Sequence, residues 1–143
     1  MTSAAGLWIG FDPGRDKCGL ALMEAQTGQI LEHRILASAE AIAVLAQLFQ
    51  ARSPQLLVLG NQTTSQQWQA QLSALPSAPP IALVDERNST LEARDRYWQM
   101  YPVRGWRRLL PQGLRQPPRP VDDLVAILLL ERYRRQQSCR KRG

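Results

Sequence analysis

The sequence has few of the residues that build disulfide-bonded or membrane-spanning proteins. Its 143 residues include only Cys18 and Cys139, whose separation fits no metal-binding motif, and this usage is typical of a reducing cytosol. The longest apolar run, Leu124 to Leu130, is too short to span a bilayer. Residues 1–5 lack the charged and apolar regions of a signal peptide. We therefore expect a cytoplasmic protein with no membrane partner, folded as one domain over residues 1–136 with a flexible basic tail at 137–143.

Histidine is almost absent from the chain. The single histidine, His33, falls in a predicted strand that is remote from the acidic motifs, and we expect it at the surface. A histidine general base is therefore not expected. Metal activation of water is the remaining way to make a nucleophile near neutral pH.

Positive charge is unevenly distributed along the sequence. The net charge is +6, but residues 104–143 alone hold eleven basic and three acidic residues. Such asymmetry predicts an anionic partner for the C-terminal part, with nucleic acid ahead of an anionic membrane surface. A basic surface that only maintains solubility is the alternative.

Three acidic sites lie at the ends of predicted elements. Asp12 ends an apolar strand, Asp85-Glu86 ends another, and Asp122-Asp123 begins an apolar helix. Carboxylates repel one another unless a cation or a proton lies between them. If the fold brings these sites together, the expected cofactor is Mg²⁺ or Mn²⁺ and the expected chemistry is phosphoryl transfer.

Hydrophobic periodicity predicts an α/β fold with a mixed five-stranded sheet and helices on both faces. Three strands joined by short turns predict an antiparallel meander, and helices and strands then alternate in the order βββαβαβα. The predicted strands are 7–12, 18–25, 29–37, 56–59 and 81–84, and the predicted helices are 39–52 (with Ser38 as N-cap), 63–74, 90–100 and 121–135. Residues 102–120 are predicted to form a long basic loop. Asp12, Gly60-Asn61 and Asp85-Glu86 then stand at the carboxyl ends of strands, where such sheets bind ligands.

Three motifs resemble the YqgF family of Holliday junction resolvases, which are RuvC-like nucleases of the RNase H-like fold. Gly10-Phe11-Asp12-Pro13-Gly14 is similar to the first-strand motif of that family. The run from Asp85 to Ala93, which reads DERNSTLEA, resembles its most specific signature. The segment from Val121 to Leu129 is similar to its closing motif, an Asp that begins an apolar helix.

The resemblance implies an RNase H-like fold and a metal-dependent phosphodiesterase. It implies Asp12, Glu86 and Asp122 as catalytic residues and metal ligands. The implied substrate is branched DNA or the precursor of small-subunit ribosomal RNA, and the sequence does not choose between RNA and DNA. It also leaves the oligomeric state open.

Each acidic residue also has an ordinary structural interpretation. Asp12 could be a turn residue, Asp85 could replace Glu86 as the ligand, and Asp122 could be a helix cap. Asp123 is interpreted as a first-turn acid or as a partner of the ligands. RuvC-type resolvases carry a carboxylate where Gly60-Asn61 offers an amide, and another where this chain has Arg119.

Arginines and a tryptophan are the predicted contacts to nucleic acid. Arginine binds phosphates in a bidentate manner and an exposed Trp can stack on bases, although Trp106 could equally anchor its loop. The predicted contacts are Asn61, Thr63, Arg87, Arg104, Trp106, Arg107, Arg108, Arg115 and Arg119, of which Asn61 and Thr63 could instead cap a helix. Further basic residues near the C-terminus are expected to add salt-sensitive affinity, namely Arg132, Arg134, Arg135, Arg140, Lys141 and Arg142.

Two other classes of function remain open. A noncatalytic nucleic-acid-binding module is the main rival, since the expected carboxylate set is reduced. An ATPase of the sugar-kinase or actin type is weaker, because such enzymes need two domains and this chain is too short for both.

Overall fold

A computed structural model describes residues 6–61, 64–85, 89–100 and 122–142. Five strands form one sheet in the order β3-β2-β1-β4-β5. Strands β1, β2 and β3 are antiparallel neighbours, whereas β4 and β5 run parallel to β1. The strands are β1 (Leu7–Asp12), β2 (Lys17–Glu24), β3 (Ile30–Ala37), β4 (Leu56–Gly60) and β5 (Ile81–Val84). The predicted meander and the predicted mixed sheet are both confirmed.

Helices cover both faces of this sheet. Within the described residues the element order is βββαβαβαα, in which the last helix corresponds to the helix predicted at 121–135. The helices are α1 (Ser38–Arg52), α2 (Ser65–Ser73), α3 (Ser89–Met100) and α4 (Asp122–Arg142). Helix α4 continues to Arg142, beyond the predicted end at Arg135.

Two hydrophobic clusters, one on each face, hold the layers together. Ile9, Phe11 and Leu57 belong to the cluster beneath α1 and α2. Val58 belongs to the cluster beneath α3 and α4, because neighbouring residues of a strand face opposite sides. Residues 124–130 of α4 are all buried, since this part of the helix lies between the sheet and α3. Strands β1 and β4, in the middle of the sheet, are therefore covered on both faces. The continuous apolar run in β4 predicts this burial.

The start of α1 differs from the prediction. Ala37 occupies the N-cap position and no side chain caps the helix, so the prediction of Ser38 as the cap is wrong. The Ser38 hydroxyl instead donates a hydrogen bond of 2.8 Å to the carbonyl of Gly14. The backbone N–H of Ser38 donates to the carbonyl of Asp16. These two bonds attach the turn between β1 and β2 to the first turn of α1.

Candidate active site at the carboxyl end of strand β1

Alternate residues of β1 face helix α4. The ring of Trp8 meets the ring of Tyr133 edge to face, with 5.3 Å between centroids. Gly10 lies so close to the carbonyl of Ala126 that any Cβ would crowd it. Asp12 is two residues further along the same face and is only 8% exposed. The strand therefore places Asp12 in a buried position at its carboxyl end, on the face that α4 covers.

Gly19 allows the start of α4 to reach the same edge of the sheet. It pairs with Asp12 across the antiparallel ladder between β1 and β2. A Cβ on Gly19 would overlap the backbone carbonyl of Asp122, so only glycine permits this approach. Asp12 and Asp122 therefore flank Gly19, although 110 residues of sequence separate them.

The environment of Asp122 opposes its negative charge. Partial burial raises the pKa of this carboxyl above its ordinary 3.8, and the neighbouring charge of Asp123 raises it further, while Lys17 acts in the opposite direction. Among the described residues, no hydrogen bond to the Asp122 carboxylate is observed. A cation beside this carboxylate would offset both unfavourable contributions.

Asp123 is paired with the histidine that the sequence places at the surface. Nδ1 of His33 lies 2.6 Å from Oδ2 of Asp123, and Oδ1 accepts a hydrogen bond from the N–H of Leu124. Only 4% of the Asp123 side chain and 22% of the His33 side chain are exposed. The expectation that His33 lies remote from the acidic motifs is wrong, because β3 pairs His33 with Ala21 on the face that α4 covers.

The ends of β4 and β5 complete this edge of the sheet. Asn61 is exposed directly after β4, and its backbone N–H donates a hydrogen bond of 2.9 Å to the carbonyl of Val84 at the end of β5. Asp85 follows, and its carbonyl accepts a hydrogen bond of 2.7 Å from Arg132. Asn61 thus stands at the predicted strand end, next to the segment that leads to Glu86.

Several predicted site residues lie outside the described residues. For these residues the roles assigned above stay predictions. They are Glu86, Arg87, Thr63, Arg104, Trp106, Arg107, Arg108, Arg115 and Arg119.

Two arginines of α4 bind parts of this chain. Arg132 bonds the Asp85 carbonyl and also forms an ion pair of 2.8 Å with Glu92 on α3. Arg134 donates to the carbonyls of Ala25 and Gln26 in the turn after β2. Both guanidinium groups thus bond other parts of the fold, and their contribution to nucleic-acid affinity stays a prediction. Sequence alone could not reveal this, because both partners are distant in the chain.

The described part of the site contains two of the three predicted metal ligands, Asp12 and Asp122. No group of three or more His, Cys, Asp or Glu residues suited to a metal ion is found among the described residues. Asp12 and Asp122 nevertheless offer the carboxylate oxygens that Mg²⁺ prefers. The raised pKa of Asp122 is the observation that fits a cation, since a positive charge there would stabilise its ionised form.

The sheet order and the helices on both faces define a class of protein, that of the RNase H-like fold. Two structures of RuvC from Thermus thermophilus are similar to this chain, each with a TM-score of 0.54 over 92% of this chain and 96% of the RuvC chain. One of them is in complex with a Holliday junction substrate. Sequence identities are 16% and 14%, so the similarity establishes the fold.

No protein-family model and no curated protein matches the chain. The fold that this chain shares with RuvC is therefore established, and membership of a narrower family stays a prediction.

No helix within the described ranges is long and apolar enough to cross a membrane.

Proposed function

We propose that this protein is a metal-dependent nuclease that hydrolyses phosphodiester bonds of structured nucleic acid. The observation that carries the proposal is the placement of Asp12 and Asp122 on either side of Gly19, at the carboxyl end of the central strand of an RNase H-like fold. Membership of the YqgF family is part of the proposal, and the three motifs described above support it.

Asp12 and Asp122 would hold Mg²⁺ or Mn²⁺, with Glu86 as the proposed third ligand. When bound, the cation supplies stabilisation of the charge that develops on the phosphate and a more acidic water. Asp12, held by the β1 ladder, gives the site a rigid ligand. Asp122 is held by the first turn of α4. Rigid elements position ligands more accurately than loops do.

The proposed substrate is a branched DNA or a folded precursor of small-subunit ribosomal RNA. The similar RuvC structure was determined with a Holliday junction substrate, which supports the branched DNA. The YqgF resemblance supports either substrate. We propose that the polynucleotide contacts the basic residues of segment 104–120 together with Asn61, Thr63 and Arg87. The excess positive charge of segment 104–120 supports that role.

A noncatalytic nucleic-acid-binding module is the second candidate. One observation favours it: Asn61, exposed at the end of β4, is an amide at a position where RuvC-type resolvases carry a carboxylate. An amide oxygen is a weaker ligand for a hard cation than a carboxylate. A site with fewer charges would bind its metal weakly unless the phosphates of the substrate contribute ligands.

Cleavage of two substrates by matched variants separates these candidates. A four-way DNA junction and a structured RNA would be incubated with wild type, Asp12→Asn and Glu40→Gln, in Mg²⁺, in Mn²⁺ and in a chelator. Glu40 is an exposed acid in the first turn of α1, on the opposite face of the sheet, so Glu40→Gln is the matched control.

The nuclease proposal expects cleavage that requires the metal, persists in Glu40→Gln and is lost in Asp12→Asn. Binding of either substrate without cleavage at any metal or salt concentration would favour the module. Equal cleavage by wild type and Asp12→Asn would exclude the proposed site.

A further inference from the structure

Lys17 stands at the rim of the candidate site. It is the first residue of β2, two residues before Gly19, and it is exposed. Cys18, between them, is buried in the cluster beneath α1. Because side chains alternate along a strand, Lys17 shares the face of Gly19, which is the face that meets Asp122.

Lys17 lies close to Asp122 in the fold. A Cβ on Gly19, two residues further along β2 on the same face, would overlap the backbone carbonyl of Asp122. Within the described part of the chain, no carboxylate lies close enough to Lys17 to form an ion pair with it. Lys17 thus stands beside Asp122, and its side chain is exposed.

The surroundings make a positive charge at this position unusual. Residues 1–103 contain seven basic and nine acidic residues, so this part of the chain has no general positive excess. Arg34, two strands away from β1, is already engaged with Glu32 at 3.3 Å. Lys17, in contrast, combines exposure with a place beside the carboxylates.

We infer that Lys17 binds a phosphate of the polynucleotide backbone next to the phosphodiester that the proposed function places at the site of Asp12 and Asp122. This inference rests on the proposed function for the identity of the ligand. A lysine ammonium is a compact charge with three donors, which suits a phosphate whose orientation varies between substrates. The contact positions the backbone and reads no sequence.

The alternative role for Lys17 is to offset the acidic charge of the site without touching substrate. The two roles differ in the salt dependence of binding. A phosphate contact releases condensed counterions from the nucleic acid, so losing one contact reduces the slope of log K against log salt by about 0.9 for duplex DNA. An offsetting charge would alter stability and leave this slope unchanged.

The test measures binding of a four-way DNA junction and of a structured RNA at several salt concentrations, without Mg²⁺ or Mn²⁺ so that cleavage does not interfere. Lys17→Gln is compared with Arg52→Gln, which removes an equal charge from the exposed last turn of α1 on the opposite face. Lys17→Arg serves as the conservative variant. Urea denaturation checks that each variant is folded.

Lys17→Gln should weaken binding of the junction about tenfold near 0.1 M salt and reduce the slope by about one. Lys17→Arg and Arg52→Gln should keep the wild-type slope. A wild-type slope in Lys17→Gln, or an equal loss in Arg52→Gln, would overturn the inference.

Failure of the inference can be told apart from failure of the proposed function. If Asp12→Asn abolishes cleavage while Lys17→Gln binds as wild type does, only the role of Lys17 is refuted. If wild type binds neither nucleic acid, the proposed function and the role of Lys17 are both refuted.

Discussion

The pair of His33 and Asp123 makes the most quantitative prediction for this fold. His33→Ala removes the ring nitrogen that lies 2.6 Å from Oδ2 of Asp123. Asp123 remains buried, with 4% of its side chain exposed, so water replaces the lost partner poorly. A hydrogen bond to a charged group contributes about 1.5–3 kcal/mol. Because 22% of the His33 side chain is exposed, we expect the lower part of this range.

The expected loss in free energy of unfolding is about 2 kcal/mol for His33→Ala. In urea this corresponds to a midpoint lower by roughly 1 M, with an unchanged slope m. Thermal unfolding should occur about 4–8 °C lower. In the Asp123→Asn background, His33→Ala should lower the free energy of unfolding much less, since the two side chains act as a pair.

Arg34→Ala is the matched control for this measurement. Arg34 follows His33 on β3 and forms an ion pair with Glu32, but both side chains are nearly half exposed. Exposed ion pairs contribute about 0–1 kcal/mol, so Arg34→Ala should change stability little. Equal losses in His33→Ala and Arg34→Ala, or full additivity with Asp123→Asn, would refute the reasoning.

Two further predictions concern the approach of α4 to the sheet. Gly19→Ala should destabilise the protein by about 1–3 kcal/mol, since its Cβ would overlap the rigid carbonyl of Asp122, and a wild-type urea midpoint would contradict this. Asp122→Asn should raise stability near neutral pH, because the folded state raises the pKa of the Asp122 carboxyl. The free energy of unfolding of the wild type therefore falls as the pH rises above 3.8 and through the folded pKa. The advantage of Asp122→Asn in urea denaturation should shrink towards low pH, and an advantage that is constant with pH would contradict the assignment.

Much of the fold could be predicted from local patterns. The five strands have the predicted positions to within one or two residues, because apolar runs between turn residues mark them clearly.

The ends of two helices were harder to predict, beginning with the start of α1. Ser38 is a good cap by residue type, but its hydroxyl bonds Gly14, which only the tertiary fold brings near. The end of α4 was also missed, since its last residues are polar and show little periodicity.

The site was predictable only in part. Asp12 could be singled out because it ends a buried strand, and Asp122 because it begins a buried helix. The role of His33 depends on the register between β2 and β3, which places its side chain on the face of α4. The alternation of side chains along β3 indicates which residues share a face with His33. Only the register between β2 and β3 shows that this face is the one covered by α4. The sequence carries no signal for the proposed role of Lys17, because exposed lysines at strand starts are common.

Single-turnover cleavage by wild type, Asp12→Asn and Glu40→Gln tests the central claim most directly. With protein in excess over a substrate that wild type binds, the rate reports the chemical step and not the affinity. We predict that Asp12→Asn lowers the rate in Mg²⁺ or Mn²⁺ at least 100-fold while Glu40→Gln keeps the wild-type rate. Loss of a residue that only supports a metal ligand lowers metal affinity or activity about 10–100-fold, and Asp12 would be a direct ligand. Equal rates for wild type and Asp12→Asn would contradict a metal-dependent site at the end of β1.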